Sequence, residues 1–572
     1  MNKKWEVCKE NKNDIDKISK ENGLSNLISS ILASRGIIEK EDVREFLNPT
    51  RDDFHAPFLM PDMEKAVDRI LKAIQTQEKT IIYGDYDVDG ITSITVLKKF
   101  LEERNLQVGE YIPNRLNEGY GLNKEAVKKI AEQGYKLIIT VDCGISCIEE
   151  IKYATELGLE VIVTDHHEPA EELPKCLAVV DAKRKDNQYP FNQLAGVGVV
   201  FKLIQAISIK LNLDNKEYLK YLDIVCVGTI SDIVPLVDEN RVITKLGLKL
   251  VPISKNIGLR TLLASTGYKE VNSTTISFGI APRINACGRM GEEKEALRLF
   301  LTNDLHEAKE ITERLNNYNL ERQETEKRIF KQALEQIENG EKDKSCIVLG
   351  QEGWHHGIIG IVASKVTDIY FKPSILICFE GEEGKGSGRS IPGFNLHDAV
   401  MNCDTYVEKF GGHSMAIGIN VKRENFEKFK KEFEEYTQNS HISDIIPIIQ
   451  IDKQVDIKKI NIQEVNELKL LEPYGEGNKM PVFLIKNLKI LSIFAFRNLK
   501  IDSIRALSEG KHIKLKLGID NHMIDAIGFN MGEVADKYLI GDKVDIVGSL
   551  EVNQFGGNEN IQVNLKDLRK TI

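Results

Sequence analysis

Four short apolar runs mark the first third of the chain: TIIYG (80–84), KLIITV (136–141), EVIVT (160–164) and LAVVD (177–181). Runs of this kind, without polar alternation, suit strands buried on both faces, and the helical stretches between them predict a parallel sheet in an α/β domain. From Leu305 to Asn339 there is neither Gly nor Pro, and Ile311, Leu315, Tyr318, Thr325, Ile329, Ala333 and Ile337 recur at helical spacing. This predicts one long helix, ended by Gly340 and spanning about 50 Å if continuous. A second α/β segment follows, with strands at CIVLG (346–350) and SILICF (374–379) and Gly-rich turns up to Gly412. Beyond Ile446, PVFLIKNLKILSIFAF, HIKLKLGI, MIDAIGF and KVDIVGSLEV alternate apolar and polar positions between turns, the pattern of a small β-barrel.

Composition narrows the class. With 572 residues, 42% hydrophobic and 29% charged, the chain has material for several ordinary globular domains and is neither disordered nor collagen-like. No stretch approaches the roughly 18 apolar residues of a membrane span, and the start, MNKKWEVCKENKND, lacks a secretory apolar run, so a cytoplasmic protein is expected. Nine Cys without CxxC pairs or regular spacing read as reduced thiols rather than a disulfide or zinc framework. The net charge of −10 argues against a uniformly basic surface. Between Lys479 and Lys516, however, nine Lys or Arg stand against Asp502 and Glu509, a local excess of +7 that suits a nucleic-acid contact.

The chemistry gathers at strand ends. TIIYG runs straight into Asp85, Tyr86, Asp87, Val88, Asp89, Gly90, where alternate positions aim several carboxylates at one point and Gly90 permits the turn. Taken alone, such an acidic turn reads as solvated loop. The next runs end the same way, LIITV in Asp142 and EVIVT in Asp165, His166 and His167. Carboxyl ends of parallel strands converge on one crevice, so these groups are expected to meet in space and to hold a divalent cation. Mixed oxygen and imidazole ligands suit Mn²⁺ or Mg²⁺, and two such ions serve phosphoryl hydrolysis.

GDYDVDG, TVDCG, DHH and SDIVPL, in this order, resemble the DHH phosphoesterase superfamily and, within it, the RecJ single-strand DNA exonucleases. APRINACGRM (281–290), GWHHGIIGIVASK (353–365), GSGRS (386–390), FGGHSMAIG (410–418) and LEPYGEGNKMP (471–481) extend the resemblance over nearly the whole chain. It implies a DHH parallel-sheet domain with the N-terminal segment (1–304), a long connecting helix (305–340), a DHHA1 α/β substrate domain (341–445) and an OB-like β-barrel (446–572). Carried onto this sequence, it implies that Asp85, Asp87, Asp89, Asp142, His166 and Asp232 surround two Mn²⁺ or Mg²⁺ ions, with Asp142 as bridge. Asp165 would orient His166, and His167 would lie near the scissile phosphate or the attacking water. Without the resemblance, Asp232 in SDIVPL reads as a helix cap.

The same resemblance assigns Ser387, Arg389, Gly411, Gly412 and His413 to the DNA backbone. That is physically sensible, because glycines admit main-chain N–H groups to an anion and Arg grips phosphate bidentately. Arg283, Asn285 and Arg289 read blandly as loop or interdomain contacts and, with the resemblance, as contacts to nucleic acid or to the surroundings of the metals. Trp354 and His355 are candidates for stacking on a base, His355 as a substrate-binding residue, while Trp354 reads equally as an interdomain packing residue. Phe494 and Phe496 are expected in the barrel core, with stacking on bases as the alternative. The expected activity is hydrolysis of single-stranded DNA to 5′-mononucleotides by a monomer, in the 5′ to 3′ direction that the resemblance alone implies, with a single-strand-binding protein and a helicase as protein partners. The rivals are an oligoribonucleotide or cyclic-dinucleotide phosphodiesterase, a manganese pyrophosphatase and a non-catalytic replication scaffold.

Overall fold

The computed structural model describes residues 3–115, 118–440, 442, 445–496, 512–555 and 557–571. The four apolar runs form strands of one sheet: β1 (Thr80–Gly84), β3 (Leu137–Val141), β4 (Glu160–Thr164) and β5 (Ala178–Val180), joined by a short edge strand, β2 (Val108–Tyr111), that the apolar pattern does not single out. All neighbours are parallel, in the order β2-β1-β3-β4-β5. The chain leaves β1 toward one side and returns to β3 on the other, so the switch point lies between the ends of β1 and β3, where open α/β sheets form their crevice.

Four helices frame that crevice: α1 (Val88–Glu102), α2 (Gly196–Lys210), α3 (Leu222–Ser231) and α4 (Asp238–Leu250). They share one core with the sheet through Ile94, Leu97, Val141, Phe201 and Val225. A π-helical turn (Thr275–Ile280) runs into α5 (Ala281–Met290), and the long helix α6 (Leu305–Gln336) follows. At 32 residues α6 is about 48 Å long. It ends in an irregular turn where Gly340 adopts φ 147°, a value that favours Gly.

The second α/β unit orders its strands β9-β10-β8-β7-β6: β6 (Ile347–Glu352), β7 (Ser374–Glu380), β8 (Glu383–Arg389), β9 (Lys409–His413) and β10 (Ala416–Lys422). Only β6 and β7 are parallel. Helix α7 (His356–Tyr370) connects them. The tail is a closed five-stranded barrel of β11 (Phe483–Phe496), β12 (His512–Ile519), β13 (His522–Gly528), β14 (Lys543–Phe555) and β15 (Asn558–Lys570), with β14 pairing back onto β11.

Core membership departs from the linear division in one place. Ile18, Leu27, Ile31, Val43 and Leu47 pack with Phe483, Leu488 and Leu515 of the barrel, so the N-terminal helices share a core with the tail and not with the sheet that follows them. Lys4–Val7 also pairs with Ile448–Ile451. Arg241 of α4 fastens this composite to the first domain: its buried guanidinium donates to the carbonyls of Phe46, Leu471 and Glu472 and lies 3.6 Å from the Phe46 ring centroid.

Candidate metal centre

The acidic groups converge at the switch point. Asp85 follows β1. Asp87 caps α1, its Oδ1 accepting from the N–H groups of Asp89 (2.9 Å) and Gly90 (3.1 Å). Asp89 sits in the first turn of α1, and its carboxylate accepts from Gly196 (2.6 Å) and Val197 (2.8 Å) at the start of α2. Asp142 follows β3 with φ 58°, a left-handed conformation that Asp tolerates better than most residues. Asp232 ends α3. His166, just beyond β4, faces three of these carboxylates, with Nε2 at 3.2 Å from Asp142, 3.6 Å from Asp232 and 3.9 Å from Asp89.

Ligand atoms therefore fall into groups close enough to share an ion: Asp85, Asp87 and Asp142; Asp89, His166 and Asp232; and Asp142, His166 and His167. Asp142 belongs to the first and touches the second through His166. Asp85 Oδ1, Asp142 Oδ1 and His166 Nε2 are buried without a hydrogen-bond partner. Such orphaned atoms are costly unless a cation completes them, and carboxylate with imidazole is the donor set of Mn²⁺ or Mg²⁺, so the residues fit that group.

Electrostatics agree. Burial, reinforced by neighbouring carboxylates, raises Asp89 to about 7, Asp232 to about 9 and Asp85 and Asp142 well above the usual carboxylate range. Burial lowers His166 to about 3, leaving a neutral imidazole able to ligate. His167 differs: burial opposes its charge, but a 2.7 Å bond from Nδ1 to Asp165 outweighs this and raises the ring to about 9. Asp165 is itself buried, yet the His167 ring and the N–H groups of Ile145, His166 and His167 hold it below its ordinary value. The Asp165 carboxylate thus orients the ring of His167, where the resemblance pointed to His166; the His166 ring is held instead by a hydrogen bond at the backbone of Leu194.

Sequence reading passed over four contributors. The first two are glycines: a Cβ at Gly196 would lie 2.6 Å from Asp142 Oδ1, and one at Gly228 would clash with Thr92 Oγ1 and lie 3.2 Å from Asp89 Oδ1. Glycines inside apolar helical runs were the available signal. The third is Tyr120, with its hydroxyl 3.1 Å from His167 Nδ1. The fourth is Arg115, which rests 4.9 Å from the Tyr86 ring centroid beside the acidic turn.

Across the cleft a basic wall faces the acids. Burial and the nearby Arg115, Arg322 and Arg389 lower Arg289 to about 10; burial and Arg115 also lower Arg389. Arg289 donates to the carbonyl of Gly357 (2.7 Å), and Arg389 to Ser387 Oγ (3.0 Å) and the carbonyl of Gly388 (2.7 Å). Arg322 pairs with Glu326, whereas among the described residues Arg115, Arg289 and Arg389 have no carboxylate partner. Asn285 and Arg289 line a 530 Å³ cavity at this junction. Arg283 does not line it: its guanidinium is bound to Asn316 and to the carbonyl of Gly279, which makes it a packing residue between α5 and α6.

Gly411, Gly412 and His413 lie on the edge strand β9 rather than in a loop. Register places Arg389, Ala416 and His413 in one row and Ser387, Gly418 and Gly411 in the next, all on one sheet face. Gly412 is required by the fold, since its φ is 138° and a Cβ would clash with the Ala416 carbonyl. At Gly411 and Gly418 a Cβ would touch nothing, so packing does not explain them and bare backbone is left open to a ligand. Trp354 resolves to packing, buried in the core beside α6 with its indole N–H on Gln332 (2.9 Å). His355 caps α7 through Nδ1 and the N–H of Gly357 (3.2 Å), half-buried beside the Arg289 contact.

The barrel carries a further correction. Phe494 is 62% exposed, not in the core, because a bulge between Ile490 and Ser492 reverses the alternation of β11. It pairs with Lys514, and Lys516 lies two residues on along the same outer face of β12. Arg497, Lys500, Arg505 and Lys511 of the basic stretch, and the Phe496 side chain, lie outside the described residues. All nine cysteines are free thiols, and no helix among the described residues is long and apolar enough to cross a membrane.

Residues 79–229 match the DHH family, N-terminal domain; residues 343–439 match the DHHA1 domain; residues 451–567 match the RecJ OB domain. The single-stranded-DNA-specific exonuclease RecJ of Bacillus subtilis is 37% identical over 99% of this chain and 70% of that protein. RecJ of Thermus thermophilus is 33% identical over 91% of this chain and 73% of that protein. The crystal structure of RecJ in complex with Mn²⁺ from Thermus thermophilus superimposes with a TM-score of 0.85 at 30% identity, covering 100% of this chain and 80% of that one. With its metal-ligand groups, its second α/β unit and its closed barrel in the same chain order, this protein belongs to the RecJ family of DHH phosphoesterases.

Proposed function

We propose that this chain is a single-stranded-DNA-specific exonuclease that releases 5′-mononucleotides in the 5′ to 3′ direction by metal-assisted phosphodiester hydrolysis, acting in DNA repair and recombination. The observation that carries the reading is the pair of ligand groups meeting at Asp142 beside a cluster of arginines that, among the described residues, have no carboxylate partner.

In this reading Asp85, Asp87 and Asp142 would hold one Mn²⁺ or Mg²⁺ ion and Asp89, His166 and Asp232, with Asp142 beside them, a second. The metals would supply activation of a water and an offset to phosphate charge. The residues do the rest. Asp142 places its negative charge between the two positions, and the N–H groups of α2 fix the Asp89 carboxylate. His167, protonated near neutral pH and held at Nδ1 by Asp165, keeps Nε2–H for the scissile phosphate or its leaving oxygen. Arg389, Arg289 and Arg115, with Ser387, Asn285, His355, His413 and the bare backbone at Gly411 and Gly412, take the DNA backbone. Phe494, Lys514 and Lys516 give the barrel a face for the trailing strand, by stacking and charge. The same reading has the protein acting as a monomer on strands that a helicase exposes and a single-strand-binding protein coats.

One digestion tests it. End-labelled single-stranded DNA, duplex DNA and RNA of equal length are incubated with Mn²⁺, Mg²⁺ or EDTA. Mononucleotides are expected from the DNA single strand alone, in metal alone, with the 5′ label released first. Cleavage of short RNA in preference to DNA would favour the oligoribonucleotide phosphodiesterase, and binding without cleavage the scaffold.

A further inference from the structure

Like charges do not gather in a cleft unless the fold holds them there. Burial and then the charge of Arg115 depress both Arg289 and Arg389, so the guanidinium groups stand within reach of one another's repulsion. Arg289 and Arg389 are carried by regular elements, α5 and β8, and each is tied to a main-chain carbonyl. Arg115 lies in the loop after β2, and its side chain rests on the Tyr86 ring. A cation–π contact of this kind is weak, so the loop must be held by other bonds if Arg115 is to stay beside Arg289.

The neighbouring Asn114 supplies them. Its Nδ2 donates to the Gly291 carbonyl (3.3 Å) and to Glu293 Oε1 (3.1 Å), and its backbone N–H donates to Glu118 Oε2 (2.6 Å). Glu118 is fixed in turn by the Tyr111 hydroxyl (2.7 Å) and Asn123 Nδ2 (3.1 Å). Gly291, with φ 82°, ends the helix that carries Arg289, so one side-chain amide joins the loop of Arg115 to the end of α5.

Glu293 is the unusual partner. An acid in the first turn of a helix is ordinary, and the helix Glu293–Leu301 also carries Glu295 there. Glu293, however, is 3% exposed, and no Lys or Arg among the described residues bonds to it. Burial raises its pKa, and its own backbone N–H and the Asn114 amide oppose the rise. A buried carboxylate without a cation is costly unless its hydrogen bonds are made. Close packing does not fasten this seam, because Asn114, Glu118 and Glu293 line a 210 Å³ cavity.

We propose that Asn114 and Glu293 are positioning residues: they latch the loop of Arg115 to the end of α5, so that Arg115 and Arg289 stand assembled before a backbone phosphate arrives. The proposal rests on the exonuclease reading above and adds the residues that build its arginine wall.

The test is a double-mutant cycle on full-length protein. Binding of a 3′-labelled single strand in EDTA is read by anisotropy across a salt series. Arg115→Ala is expected to weaken binding about tenfold, as loss of one charge-assisted contact does. It should also flatten the slope of log K against log salt by about 0.7. Asn114→Ala and Glu293→Ala should each weaken binding severalfold, flatten the slope in the same sense and add nothing in the Arg115→Ala background. Glu293→Gln, which keeps an oxygen for the Asn114 amide, should bind as wild type. Removing a negative charge by itself would strengthen DNA binding, so weakening by Ala with rescue by Gln is specific to the latch. In Mn²⁺ the Asn114→Ala and Glu293→Ala variants should raise KM with kcat nearly unchanged. Losses that multiply with Arg115→Ala, or variants that lose Tm while binding as wild type, would overturn the latch and leave the exonuclease intact. A wild type that hydrolyses no single-stranded DNA in Mn²⁺ would overturn the parent reading and the latch with it.

Discussion

Gly196 is held between two carboxylates: its N–H donates to Asp89 Oδ2 at 2.6 Å, and a Cβ on its backbone would lie 2.6 Å from Asp142 Oδ1 and 2.7 Å from Asp142 Cβ. In the first turn of a helix Gly→Ala normally stabilises by about 0.5–1 kcal/mol. Here the new methyl must be accommodated against a buried side chain, an overpacking cost of about 1–3 kcal/mol, so the net change is a loss of about 0–2.5 kcal/mol. The larger consequence is geometric. Asp142 has to move by about 0.8 Å before the contact becomes ordinary, and displacements near 1 Å at a reacting centre cost about 100-fold in rate. Gly196→Ala is therefore expected to remain folded, to bind Mn²⁺ at least tenfold more weakly by calorimetry, and to lose about 100-fold in single-turnover hydrolysis. Gly198→Ala, on the same helix with only the Leu194 side chain near its Cβ at 3.2 Å, serves as control and should stay within a few-fold of wild type. Two manganese ions bound with wild-type affinity and near-normal turnover in Gly196→Ala would refute the placement of Asp142 between the ions.

Three further outcomes follow from the same geometry. Asp142→Asn keeps the size but removes the charge between two cations, so hydrolysis should fall by several orders of magnitude while single-strand binding persists, as measured by nuclease assay and anisotropy on one preparation. For metal-free protein, carboxylates whose folded pKa is raised contribute stability that is complete below their unfolded value near 4 and is lost as pH rises through the folded one. Asp89 at about 7 and Asp232 at about 9 therefore make the EDTA-treated protein lose Tm from about pH 4 upward, to about pH 7 for Asp89 and about pH 9 for Asp232, Mn²⁺ should remove most of that slope, and Asp232→Asn should flatten it without metal. Arg389→Ala should raise KM for single strands about tenfold, with Lys restoring it only in part because a point charge cannot reproduce the bidentate fork; unchanged kinetics would make Arg389 a structural residue.

Much of this was legible in the chain. Uninterrupted Val and Ile runs at β1, β3, β4 and β5 permit little besides a sheet buried on both faces, and an acid placed directly after such a strand must emerge at its carboxyl end. Asp85, Asp87, Asp89, Asp142 and His166 were therefore identifiable from local order, as was the long helix that Gly340 ends. Tertiary structure decided the rest, because it depends on contacts between segments far apart in the chain. Asp232 reaches the site only because α3 runs toward the crevice. Gly196 matters only because α2 meets Asp142 side-on, and Arg115 only because its loop returns beside Tyr86. The N-terminal helices join the barrel because their apolar faces find Phe483 and Leu515, a pairing of the two ends of the chain that no local pattern encodes. Phe494 faces solvent because one bulge shifts the period of β11, and a period-two reading of its sequence places it on the opposite face.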